Sequence, residues 1–159
     1  MQDKLELNLV EGIVLPNMKT SGENERCGFL NGEGRCSIHA LRPGFCRIFP
    51  LGRFYENHSF QYFLQVHECP REPKLKVKVQ KWIDTPDLKR NEKFIIDWHY
   101  FLKDVTAHLE EQNGEQYQKM IDLYILKSFY QEEWEKDRDF YEQFDERLTK
   151  AKEILKISG

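Results

Sequence analysis

Leu5, Leu7 and Leu9 alternate with polar residues, and Ile13 and Leu15 continue the alternation after Gly12. A period of two predicts one or two short strands, which Pro16 is expected to stop. Further on, two aromatic-rich runs over residues 53–56 and 60–66 flank the polar turn Asn57-His58-Ser59 and read as a β-hairpin. From Thr85 the period changes. Thr85 followed by Pro86 is a helix start, the hydroxyl capping and proline occupying the first turn. Leu88, Phe94, Ile95, Trp98, Phe101, Leu102, Val105 and Leu109 then recur mostly at three- and four-residue spacings until Asn113-Gly114 ends the helix. A second stripe, Tyr117, Met120, Ile121, Tyr124, Ile125 and Ser128, predicts a second helix. A third, Phe140, Phe144, Leu148, Ala151 and Leu155, follows Asp139-Phe140-Tyr141-Glu142, close to a capping box with Asp in the capping place. The mostly charged residues 131–139 read either as a connection or as a solvated piece of one continuous helix.

Glycine and proline sharpen this division. Seven of the nine glycines lie at or before Gly52 and all six prolines at or before Pro86, while the 73 residues from Asp87 hold only Gly114 and Gly159. Long helices require such a stretch. Residues 27–52, with five glycines, read as a loop. The expected fold class is α+β: a small loop-rich β part over residues 1–70, then a bundle of about three α-helices over residues 71–159, both sharing one core.

A chain of 159 residues buries enough surface to hold one core without disulfides. With 40% hydrophobic residues and a net charge of -3, it has neither the composition of a disordered segment nor the basic excess of a nucleic-acid binder. No run reaches the ~18 apolar residues of a membrane span, and the first ten residues lack the apolar core of a secretory signal. The expected compartment is the cytoplasm, where an even cysteine count points to metal ligation or to buried thiols rather than to disulfides.

The four cysteines read Cys27-x8-Cys36-x9-Cys46-x22-Cys69, each beside a turn residue: Gly28, Gly34, Gly44 or Pro70. Four thiolates bind zinc at ~2.3 Å per sulfur, and the same ligands suit an iron-sulfur cluster. No Cys-x-x-Cys pair is present, so spacing alone leaves metal ligation and buried structural thiols evenly balanced. The surrounding charges favour ligation. Residues 26–53 hold five arginines (Arg26, Arg35, Arg42, Arg47, Arg53) and one acid, Glu33, a balance of +4 that leaves -7 on the rest of the chain. Thiolates around a divalent ion leave negative charge, which Arg42 and Arg47 are placed to offset. The competing reading, a small nucleic-acid patch with Phe29, Phe45, Phe49 and Phe54 as stacking platforms, is disfavoured by the acidic chain and by the lack of any RNA-reading motif. His39 and His67 lie near cysteines and are expected to be bystanders. No serine sits in a nucleophile elbow and no glycine-rich loop forms a phosphate cradle, so no catalytic residue is assigned and a binding protein is expected before an enzyme.

Three pieces of the sequence, Cys27-Gly28-Phe29-Leu30, Gly34-Arg35-Cys36-Ser37-Ile38-His39 and Arg42-Pro43-Gly44-Phe45-Cys46-Arg47-Ile48-Phe49-Pro50, resemble in order a bacterial and archaeal family of zinc- or iron-chelating cysteine-cluster domains. The resemblance covers residues 5–70. It implies that Cys27, Cys36, Cys46 and Cys69 are metal ligands, with zinc or an iron-sulfur cluster as the cofactor and a tilt to the cluster, and that the metal staples the β part. Family members usually carry a further segment, Cys-x-x-Cys-Gly-x-Cys-Cys, before the strand that corresponds here to residues 5–15, and this sequence has none. The family is similar to flagellin lysine methylases, which implies a methyl-transferring enzyme as an alternative. A third reading is an interaction module with a structural metal. The sequence names no partner.

Overall fold

In the computed structural model, which describes residues 2–23, 25–66, 68, 76–112 and 114–157, two ribbons and a thiol-bearing loop are mounted on three long helices. β1 (Leu5–Val10) and β2 (Ile13–Met18) form an antiparallel ribbon with Leu7 opposite Pro16. The expectation that Pro16 stops the strand is corrected: it lies inside β2. A two-stranded ribbon bonds each strand on one edge only, so alternate N–H groups have no ladder partner and proline is tolerated. The alternation also points differently in the two strands. Ile13 and Leu15 of β2 are buried, whereas Leu7 and Leu9 of β1 are exposed on the opposite face.

β3 (Thr20–Ser21) and β4 (Arg26–Cys27) make a second short pairing, and β5 (Leu51–Glu56) with β6 (Ser59–Leu64) makes the expected hairpin. Its turn residues Asn57 and His58 both take positive φ, the conformation that matches the twist of two strands joined by two residues. The hairpin lies against α3 (Leu88–Gln112). Tyr55 stacks on His99 at 3.7 Å, His58 on Tyr100 at 4.3 Å, and Tyr62 donates to Glu92 at 3.2 Å. Arg53 faces the rings of Phe60 and Tyr62.

α3 starts at Asp87, not Thr85: the Asp87 carboxylate accepts from the Arg90 amide at 3.1 Å, and a carboxylate is the stronger cap. α4 (Glu115–Ile125) continues as a π-turn over Leu126–Gln131, and α5 (Phe140–Leu155) follows. Phe101, Val105, Ile121, Ile125, Phe144 and Ala151 are almost completely buried between these helices, and Ile13 and Leu15 belong to the same cluster. Met120, expected in the buried stripe of α4, is exposed. Apart from Gln131, which ends the π-turn, residues 131–139 are a true connection. The buried Gln143 donates to the carbonyls of Glu135, Arg138 and Asp139, while Arg147 donates to those of Ser128, Glu132 and Glu133 and lies over Trp134. Asp139 caps α5 by accepting from the Glu142 amide at 3.0 Å, as expected.

The first ribbon is fixed to the helices at polar points. Thr106 donates to the Glu11 carbonyl at 2.8 Å, Gln118 donates to that of Gly12, and the buried Asp122 accepts from the Val14 amide at 3.0 Å. Removing Asp122 strands a part-buried backbone donor. Asp122→Ala should therefore cost about 1–3 kcal/mol in urea unfolding, whereas Asp122→Asn, which keeps an acceptor, should cost less; equal losses would show that the acceptor oxygen is not what matters.

Candidate metal centre

The segment from β4 to β5 is not a featureless loop. It contains a bridge between Leu30 and Cys36, a single 3-10 turn at His39–Leu41 and the short helix α1 (Gly44–Ile48). A second short helix, α2 (Val79–Ile83), packs against α1. Neither helix was expected, because five residues are too few to establish a hydrophobic period. Only Phe29 and Ile48 are buried hydrophobic residues among the described residues 19–50. The segment is therefore shaped by polar links. Lys4 donates to the Gly28 carbonyl at 2.6 Å, the Gly28 amide to Lys19 at 2.8 Å, and the Ser37 amide and hydroxyl both to Phe29 at 2.8 Å. The Asn31 carboxamide oxygen accepts from the Glu33 and Arg35 amides, and Trp82 of α2 donates to the Phe49 carbonyl at 3.0 Å.

These links deliver three thiols from three places. Cys27 ends β4, Cys36 sits on the bridge to Leu30, whose amide in turn bonds the Cys27 carbonyl, and Cys46 lies in the middle of α1. All three are free and half-buried. Burial holds the Cys46 pKa above the ordinary thiol value, Cys27 and Cys36 push it the same way, and Arg42 opposes them. Cys46 thus lies within electrostatic reach of both other thiols, and a thiophilic cation would offset the negative charge of the three as thiolates. Among the described residues, no three His, Cys, Asp or Glu side chains close on a single point as a metal-holding group. Cys69 and His67 lie outside the described residues.

The arginines divide. Arg42 carries a buried Nε with no hydrogen-bond partner, and its charge acts on Cys46. Arg47 instead donates to the carbonyls of Arg42 and Ala40 at 3.2 Å each and of Asp84 at 3.5 Å, tying α1 to the turn before it and to the end of α2. That difference was invisible in the sequence, where both arginines flank Cys46. His39 is exposed on the 3-10 turn. The donor set, three soft thiols with an unspent guanidinium donor beside them, fits zinc or an iron-sulfur cluster.

Residues 2–70 match the family described as "Putative zinc- or iron-chelating domain". The matched residues take in all three strand pairings and the whole segment that carries Cys27, Cys36 and Cys46. The match supports metal binding by this part of the chain. No curated protein and no solved structure matches the sequence. No helix among the described residues is long and apolar enough to cross a membrane.

Among the matched residues, Gly28 sits hard against backbone. A Cβ there would stand 3.0 Å from the Lys19 carbonyl oxygen, the same atom that accepts its amide. Gly28→Ala should push Cys27 away from Lys19 and cost about 1–3 kcal/mol in chemical denaturation. Gly32→Ala, into open space, should be close to neutral, and equal effects would contradict the assignment of Gly28 as a fixed point.

Proposed function

We propose that the chain is a metal-binding protein that holds zinc or an iron-sulfur cluster through Cys27, Cys36, Cys46 and Cys69, with Arg42 offsetting thiolate charge at Cys46. The observation that carries this reading is that three thiols share one electrostatic neighbourhood in a segment with two buried hydrophobic residues. Inert structural thiols belong in apolar cores, and this segment has almost none. Ligation supplies what the core does not, because the binding energy of a metal whose ligands are scattered in the unfolded chain is folding energy. The bound group would link β4, the Leu30 bridge and α1. Arg42 holds its charge near Cys46 and opposes the rise in its pKa, so it would offset the thiolate that a bound metal stabilises; Arg47 keeps α1 in place through the carbonyls of Ala40, Arg42 and Asp84.

Metal analysis and visible absorption of anaerobically purified protein test the proposal. Broad brown absorbance with iron and sulfide selects the cluster; stoichiometric zinc in a colourless protein selects zinc; protein without metal that resists reconstitution overturns the reading. Cys46→Ser should abolish stoichiometric metal, while His58→Ala, at the tip of the β5–β6 hairpin, should retain it. Equal metal in both variants would remove Cys46 from the ligand set.

A further inference from the structure

Next to the thiols, the 3-10 turn, α1 and the connection between α2 and α3 enclose a shallow pocket lined by His39, Arg42, Arg47, Asp84 and Thr85. Among the described residues neither Arg42 nor Arg47 forms an ion pair, and the Thr85 hydroxyl has no hydrogen-bond partner. Arg47 is also immobilised. Three carbonyls fix its guanidinium, so the two N–H groups they leave over are held in place before any ligand arrives. Arg42 adds a buried donor that nothing satisfies. Asp84 lines the pocket too, so that its carboxylate opposes part of the guanidinium charge while its carbonyl serves Arg47.

We propose that this pocket binds a small oxyanion, a carboxylate or a phosphate, between the guanidinium groups of Arg42 and Arg47 and the hydroxyl of Thr85. Fixed, planar guanidinium donors suit the paired oxygens of such an anion, and a residual charge of about +1 makes it a site of modest affinity, on the order of 1 mM. The inference stands on the pocket's geometry, and because Arg42 presents its charge to Cys46 as well as to the pocket, thiolates at the neighbouring site would weaken binding of the anion.

Calorimetric titration of the purified full chain at low ionic strength tests it, with inorganic phosphate in one arm, acetate in another and chloride as the control. Saturable heat in the phosphate arm assigns a phosphate ligand, in the acetate arm a carboxylate, and none beyond the chloride control in either arm overturns the proposal. Two variants guard against binding elsewhere. Asp84 takes a left-handed conformation, φ +50, that asparagine also tolerates, so Asp84→Asn removes the opposing charge without straining the chain. It should tighten the anion about threefold, and His39→Glu, at an exposed position, should weaken it by a similar factor. An affinity unmoved by both substitutions would overturn the pocket assignment.

Discussion

The part of the chain that bears the thiols cannot be held by hydrophobic burial. Between β3 and β5 Phe29 and Ile48 are the buried hydrophobic residues, and five glycines lie among residues 27–52. Hydrogen bonds donated by Lys4, Ser37, Arg47 and Trp82 and accepted by Asn31 set the local shape, but each contributes only about 1 kcal/mol net in a part-exposed setting. A metal held by the three thiols, as proposed, would add a cross-link to this network.

The helical part works on the opposite principle. Phe101, Val105, Ile121, Ile125, Phe144 and Ala151 form a core that needs nothing from the cysteines, and Ile13 and Leu15 extend it into the first ribbon. Asp122, Thr106 and Gln118 add direction to that burial by fixing the ribbon's turn and edge. The β5–β6 hairpin is fastened by aromatic stacking on α3. The weakly held segment is thus suspended between two anchored ribbons, with Arg47 and Trp82 joining it to α2.

Much of this was readable from side-chain period. The stripes from Phe94 to Leu109 and from Phe144 to Leu155 are long enough for a three- and four-residue repeat to decide, and the Asn57-His58 turn marks its hairpin. Where the outcome hung on backbone partners, pattern was silent. Pro16 is accommodated because β2 needs no amide there, the connection over residues 131–139 owes its shape to Gln143 and Arg147 reaching back from α5, and Asp87 displaces Thr85 as the cap. The thiols themselves were legible from their turn residues and motif context. The separate duties of Arg42 and Arg47 were not, since neighbours in sequence differ here only by which carbonyls lie within reach.

If one half rests on ligation and the other on burial, removal of metal should separate them. Hydrogen exchange of the metal-loaded chain before and after anaerobic chelation measures this directly. Protection should be lost over residues 27–50, including the Gly28 and Ser37 amides that bond Lys19 and Phe29, and kept in α3 around Phe101 and Val105. A chelated chain that keeps both regions protected would show that the thiols are ordinary residues of a self-sufficient fold.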